Sequence, residues 1–123
     1  MSYQAQYERW LHSPALSQPE KDELAALSHN AGEIEDRFFS LLQFGTAGLR
    51  GVMGVGLRRM NVHVIRHATQ AFANVILAEG KAFAAQGVAI CYDCRVHSQE
   101  FARAAAEVMA GNGIPVHLFE AMR

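Results

Sequence analysis

Residues 88–119, VAICYDCRVHSQEFARAAAEVMAGNGIPVHLF, predict a strand, a helix and a second strand. The run from Val88 to Tyr92 is continuously apolar, which is typical of a strand buried on both faces. Phe101 and Met109 belong to the apolar stripe of a helix that ends at a Gly-Asn-Gly turn. The short connections predict a right-handed parallel crossover, and therefore an α/β fold: a three-layer α/β/α sandwich with a mixed, partly parallel sheet.

Residues 1–42 have a helical pattern of their own. Apolar residues recur there at helical spacing, and residues 17–20, Ser-Gln-Pro-Glu, form a capping box with proline in the first turn. A further helix is predicted from Val62, with Phe72 in the stripe that faces the sheet. We therefore expect a helical N-terminal extension followed by a partial, truncated α/β domain over residues 43–123.

The composition excludes several classes of protein. A net charge of -1 and a pI near 6.6 give no concentrated basic excess, so neither nucleic acid nor an anionic membrane is an expected partner. The first residues lack the features of a signal peptide, and no apolar run is long enough to span a bilayer. We expect a cytoplasmic protein.

Residues 44–61, FGTAGLRGVMGVGLRRMN, combine five glycines with three arginines and predict a loop or hairpin. Glycines let backbone N–H groups turn towards an anion, and arginines supply charge and forked donors, so a phosphate would fit. Judged on glycine content alone, tight turns are the better explanation. A Walker A loop is excluded because Gly-Lys-Ser/Thr is absent. Arg58 and Arg59 are expected to be exposed and solvated.

The two cysteines have Cys-x-x-Cys spacing, which is one pattern of a redox pair. Such a pair needs its first thiol at a helix N-terminus, whereas Cys91 lies inside the predicted strand. A buried, small hydrophobic residue is therefore the better interpretation of Cys91. A thiol redox domain that uses Cys91 and Cys94 stays open as an alternative.

Three stretches together resemble the signatures that open the α-D-phosphohexomutases, the family of phosphoglucomutases and phosphomannomutases. They are residues 44–51 (FGTAGLRG), residues 59–61 (RMN), and residues 92–95 (YDCR) followed by Ser98. The order and spacing of the three stretches match those of the family signatures, as do their residue types. Cys94 stands where serine is usual.

The resemblance implies a set of residues that bind phosphate or line the active site. Arg50 would lie near a phosphorylated catalytic serine and bind its phosphate, and the aspartate and arginine after the first strand would face the ligand. For that last pair, a purely structural contact is an equally good interpretation. The implied set is Arg50, Thr46, Gly48, Gly51, Asp93 and Arg95.

The resemblance also implies an activity: reversible phosphate transfer between O1 and O6, or O5, of a sugar through a phosphoserine. The parent enzyme would use Mg²⁺ and a sugar bisphosphate activator. No catalytic residue and no metal ligand is expected in this chain, because the serine loop is missing and Ser28-His29-Asn30 follows a helix instead of a strand. We expect the chain alone to be inactive and to bind no cofactor.

Two further expectations concern partners. The substrate of the parent enzyme would be a phosphosugar, and an exposed sheet edge is expected to allow self-association. A free-standing module that binds phosphosugars or nucleotides stays open as a second alternative function.

Overall fold

Three short helices begin at side-chain caps. In α1 (Tyr3–Leu11), Ser2 accepts a hydrogen bond from the first turn. In α2 (Gln18–Ala25), Ser17 and Glu20 form the predicted capping box. In α3 (Ala31–Phe38), the Asn30 side chain accepts from the amide of Glu33. Each cap satisfies an N–H group that a helix start leaves without a partner, which explains why such short segments are helical.

The computed structural model describes residues 2–42, 44–45, 48–49, 51–92 and 97–120, with the backbone alone at residues 44–45, 48–49 and 120. The chain divides into two units, Met1–Asn61 and Val62–Arg123. Among the described residues, we find no helix with the length and hydrophobicity that a bilayer crossing requires.

The core of the first unit lies between its helices. Phe38 is nearly inaccessible, and the rings of Tyr7 and Trp10 pack edge-on against it, with centroids 5.8 and 5.7 Å away. The Tyr7 hydroxyl donates to the carbonyl of Leu24 at 2.7 Å, which ties α1 to α2. Val55, from the loop after the glycine-rich stretch, is buried in the same cluster.

A short antiparallel hairpin follows the helices, as the glycine content predicts. Its strands are β1 (Phe44–Gly45) and β2 (Gly48–Leu49), with Phe44 opposite Leu49 and Gly45 opposite Gly48. Residues 51–61 then form a loop, and Met53 and Met60 make an isolated bridge within it.

The second unit contains the predicted strand, helix and strand. Its elements are α4 (Val62–Ala78), α5 (Lys81–Ala84), β3 (Val88–Tyr92), α6 (Ser98–Gly111) and β4 (Val116–Glu120). Strands β3 and β4 are parallel and in register from the pair Val88–Val116 to the pair Tyr92–Glu120. The parallel pairing predicted from sequence is therefore confirmed.

One face of β3 is partly buried and the other is exposed, whereas Leu118 and Phe119 of β4 are both about half exposed. Ala73 and Ile76 of α4, Met109 of α6 and Ile114 form a buried cluster against Val88 and Val116. Burial along β3 alternates, and Cys91 is exposed. The predictions of a strand buried on both faces and of a buried Cys91 are wrong, because a continuous apolar run does not show how many layers cover it.

The packed stripe of α4 also differs from the prediction. Phe72 is 57% exposed, whereas Ala73, one residue further along the helix, is fully buried. A one-residue step turns the helix by about 100°, so the two side chains cannot share a face. The small Ala73 lets neighbouring elements approach closely, and periodicity that counts only large side chains overlooks it.

Candidate functional site

The hairpin holds part of the predicted phosphate-binding set. Gly48 lies in β2 and pairs with Gly45 of β1. Gly51 follows β2 and is exposed. Four other predicted residues lie outside the described part of the chain: Thr46, Arg50, Asp93 and Arg95. Their assignment to a site stays a prediction.

The two ends of the segment that carries the hairpin meet. A Cβ atom at Gly51 would lie only 2.7 Å from Cδ2 of Leu42, so the chain at residue 51 passes directly over that side chain. Leu42 comes shortly after α3, which ends at Phe38. Residues 43–50 therefore leave and return at one place beside the helical extension.

The chain then closes a loop, which we call the anchored loop and define as residues 52–61. The amide of Met60 donates to the carbonyl of Val52 at 2.8 Å, and the amide of Gly54 donates back to the Met60 carbonyl at 3.2 Å. Inside the loop, the side-chain amide of Asn61 donates to the carbonyls of Gly54 and Gly56 at 2.9 and 3.0 Å. These bonds fix the backbone immediately after Gly51.

Two side chains of the helical extension hold the anchored loop at Val55, and we call this contact the Val55 clamp. Oε2 of Glu23, from α2, accepts from the Val55 amide at 3.0 Å. Nη1 of Arg37, from α3, donates to the Val55 carbonyl at 3.0 Å and to Glu23 Oε2 at 2.6 Å. Nε of Arg37 also donates to Glu33 at 3.0 Å. Both polar backbone groups of one residue are thus held by an ion pair.

A second ion-pair cluster holds the loop at Arg58 and Arg59, and it shares Oε1 of Glu33 with the first cluster. Nη2 of Arg59 donates to Oδ2 of Asp36 at 2.6 Å and to Oε1 of Glu33 at 3.3 Å, and the Arg59 side chain is only 9% exposed. Arg58 donates to Oδ1 of Asp36 at 3.1 Å, and its guanidinium lies 4.4 Å above the ring centre of Phe39. The prediction that these arginines are merely solvated is wrong.

The charges of these clusters change the pKa values of their members. For Glu23, partial burial raises the pKa, but the Val55 amide and the Arg37 guanidinium outweigh burial and lower it below 4.5. For Asp36, the hydrogen bond from Arg59 is the main reason that the pKa lies below 3.8. Burial opposes the charge of Arg37, but hydrogen bonds to Glu23 and Glu33 raise its pKa. All three groups are therefore charged near neutral pH.

Sequence reasoning missed most of this arrangement. The spacing of Glu33 and Arg37, four residues apart on one helix, is a local signal for an ion pair. Glu23 and Val55 are 32 residues apart, and no local pattern predicts that they meet. The clusters hold the backbone of residues 52–61, which follows the hairpin along the chain.

Comparison with known proteins identifies the family of the chain. A sequence model described as the phosphoglucomutase/phosphomannomutase alpha/beta/alpha domain I matches residues 41–123. The chain belongs to this family. Phosphoglucomutase/phosphomannomutase domain I is an α/β/α fold, and the parallel β3–β4 pair with its packed helices fits it, so the predicted family and fold class are confirmed.

Relatives within the family extend the similarity into the helical extension. A phosphopentomutase of Mus musculus is 37% identical over 121 residues, which cover 94% of this chain and 19% of the relative. A phosphoribomutase of Saccharomyces cerevisiae is 40% identical over 99 residues, 78% of this chain and 15% of the relative. A phosphomannomutase of Mycoplasma pneumoniae is 34% identical over 115 residues, 92% of this chain and 20% of the relative.

The chain therefore spans about a fifth of the length of these phosphoglucomutase/phosphomannomutase relatives. No solved structure matches it significantly.

Proposed function

We propose that this chain is the N-terminal part of a phosphosugar mutase, an isomerase that moves phosphate between two positions of one sugar through a phosphoserine. The observation that carries the proposal is the match of residues 41–123 to the family's domain I. The mutase names of three relatives similar over most of this chain support it. The hydrogen bonds that fix the anchored loop, directly after residues 44–51, give it a physical basis.

Within this function, residues 44–51 bind the phosphate group of the substrate or of the phosphoserine. Backbone amides of the glycine-rich hairpin and the Arg50 guanidinium supply the donors, and Thr46, Gly48 and Gly51 shape the pocket. Asp93 and Arg95 complete the set from the end of β3, where parallel sheets present ligand-facing groups. Each role is carried over from the family resemblance of residues 44–51 and 92–95.

Mg²⁺ and a sugar bisphosphate activator belong to the proposed parent enzyme, and we assign neither to this chain. Within the described ranges, no three histidine, cysteine, aspartate or glutamate side chains come together as a metal site requires. We further propose that the chain alone has no turnover, because the transferring phosphoryl group needs a nucleophile, a metal and in-line positive charge. Purified chain should not interconvert ribose 1-phosphate and ribose 5-phosphate, and measurable conversion would refute this.

The binding role can be tested on the chain itself by NMR titration of ¹⁵N-labelled protein with ribose 5-phosphate, and with ribose as the ligand without phosphate. We expect saturable shifts with ribose 5-phosphate only, and their loss in Arg50→Gln. Arg9→Gln removes the same charge from an exposed position on α1 and should leave the affinity unchanged. Equal losses in both variants would show that net charge, and not Arg50, governs binding.

The proposal that the chain is part of a longer mutase can be tested separately, from the gene sequence. A reading frame that continues past Arg123 into a Ser-His-Asn loop after a third strand would support the mutase. A stop codon at that point would contradict it and favour the free-standing phosphosugar- or nucleotide-binding module. Among the described residues, Cys91 lies within β3 and not at a helix N-terminus, which gives the thiol redox alternative no support.

Partners and location are proposed on the same basis. The substrate is a phosphosugar, the protein is cytoplasmic, and the charge balance offers no basis for a nucleic-acid or membrane partner. Self-association of the chain is proposed through an exposed edge of the β3–β4 sheet, and the half-exposed Leu118 and Phe119 of β4 would add apolar contact area. Light scattering should give a mass above that of one chain, and a monomeric mass at high concentration would exclude it.

A further inference from the structure

The Val55 clamp connects the helical extension to the segment proposed to bind phosphate. Only three residues separate Val55 from Gly51, and the bonds of Met60 to Val52 and Gly54 make the chain between them part of one closed loop. Gly51 in turn passes over Leu42. Any movement of Val55 relative to α2 and α3 would therefore shift Gly51, the residue that directly follows residues 44–50 in the chain.

The Val55 clamp adds hydrogen bonds that burial of the Val55 side chain does not require. Burial of the Val55 side chain would hold the loop against the apolar core without any charged group. Instead, a carboxylate and a guanidinium from two different helices bind the amide and the carbonyl of this residue. Bonds to both ends of a residue restrain its peptide orientation as well as its position, which is the restraint that a backbone anion site needs.

We propose that Glu23 and Arg37 are positioning residues for phosphate binding by residues 44–51. The helical extension is then a working part of the phosphate site, although neither side chain touches the phosphate. This inference rests on the proposed function, because it requires that residues 44–51 bind phosphate.

Whether Glu23→Gln weakens or strengthens phosphate binding distinguishes a positioning role of Glu23 from a purely electrostatic one. Removal of a negative charge from a protein that binds an anion strengthens binding if only charge matters. Glutamine retains an acceptor for the Val55 amide but loses the ion pair with Arg37, so a positioning role makes binding weaker. We expect the affinity for ribose 5-phosphate to fall roughly five- to tenfold.

The matched control is Glu35→Gln, which removes the same charge from an exposed residue on α3. Glu35 has no ion-pair partner among the residues that the structure describes. This variant should bind ribose 5-phosphate as tightly as the unchanged chain, or slightly more tightly. Both variants are titrated by NMR at a temperature where Trp10 fluorescence shows the first unit to be folded.

A second variant covers the case in which Glu23→Gln does not fold. Glu23→Asp keeps the charge and withdraws the carboxylate by one methylene, so it changes the geometry of the clamp at constant net charge. We expect Glu23→Asp to weaken binding of ribose 5-phosphate too, with a smaller loss of affinity than in Glu23→Gln.

The outcomes distinguish the two proposals. Weaker binding in both Glu23 variants, with Glu35→Gln unchanged, supports the positioning role. Binding equal to or tighter than that of the unchanged chain in a folded Glu23 variant overturns the positioning role and leaves the proposed phosphate site intact. If the unchanged chain shows no binding, the proposed phosphate site fails, and the positioning role fails with it.

Discussion

Arg59 and Asp36 form a short ion pair, with 2.6 Å between Nη2 and Oδ2, that joins the anchored loop to α3. The two ends of the pair differ in their surroundings, because the arginine side chain is 9% exposed and the aspartate side chain is 52% exposed. A nearly buried cation depends on its partners, whereas a half-exposed carboxylate can return to water. The arginine is therefore the end at which substitution is expected to matter most.

Arg59→Ala should destabilise the first unit by about 2 kcal/mol, because it removes a nearly buried guanidinium and its bonds to two carboxylates. Arg58→Ala is the matched control, since Arg58 contacts the same aspartate but its side chain is 37% exposed. That change should cost about 0.5 kcal/mol or less. Urea unfolding followed by the fluorescence of the single tryptophan, Trp10, measures both. Equal losses of unfolding free energy in the two variants would contradict the argument that burial makes Arg59 the more important arginine.

Stability of the first unit should fall in acid. The pKa values of Glu23 and Asp36 lie below 4.5 and 3.8, their ordinary values, which the unfolded chain is expected to have. Lowered values mean that the contribution is complete above the ordinary values and is lost as pH falls through the lowered ones. The urea midpoint should stay level above about pH 5 and drop below it. In a double variant, Glu23→Gln with Asp36→Asn, the urea midpoint should fall less steeply as the pH is lowered. If it falls as steeply as in the unchanged chain, these two carboxylates are not the cause of the acid sensitivity.

Tyr7→Phe tests the tie between α1 and α2. The change removes the hydroxyl that donates to the Leu24 carbonyl from a residue that is only 2% exposed. The Leu24 carbonyl then keeps its hydrogen bond from the Leu27 amide at 3.0 Å but loses the one from the buried hydroxyl, so we expect a loss of about 1 kcal/mol in the free energy of unfolding. Tyr3→Phe, at the half-buried edge of the same core, should change it by less than about 0.5 kcal/mol. A neutral result for Tyr7→Phe would show that water replaces the bond.

Gly56→Ala should destabilise the anchored loop. Gly56 has a φ of 138°, and a Cβ there would lie 3.0 Å from Cβ and 3.1 Å from the carbonyl oxygen of Arg37. Strain and crowding against a helix together predict a loss of about 2 kcal/mol. Gly32→Ala is the control with the opposite sign, because Gly32 lies in α3, where a Cβ would make an ordinary contact with Oδ1 of Asn30 at 3.8 Å, and alanine there should stabilise by about 0.5 kcal/mol. Thermal unfolding of both variants measures the difference.

Local chemistry accounts for the parts of the fold that sequence predicted well. The capping box at Ser17, the Gly-Asn-Gly stop after α6 and the strand, helix and strand of the second unit all depend on neighbours close in the chain. Burial was predicted less well, because Cys91 and Phe72 take their environments from elements far along the sequence. An apolar residue shows that a face can be buried, and other elements decide whether it is.

The same contrast between local features and distant contacts applies to the candidate site. The family resemblance of residues 44–51, and not their glycine content alone, pointed to a phosphate site there, and no structural observation tests that assignment. The ion pairs of the anchored loop could not be predicted, since Arg59 and Asp36 are 23 residues apart and charged residues near a helix usually face water. The site roles assigned to positions 46, 48, 50, 51, 93 and 95 all stay predictions until ligand binding tests them.

The Val55 clamp binds backbone atoms, and this has a consequence for how related sequences should vary. The groups held by Glu23 and Arg37 are an amide and a carbonyl, which almost every residue type possesses. Position 55 should therefore accept any apolar residue that fills its pocket, with proline excluded for want of an N–H. Substitutions at positions 23 and 37 should instead be correlated across homologues, so that a lineage that loses one acid or base loses its counterpart as well.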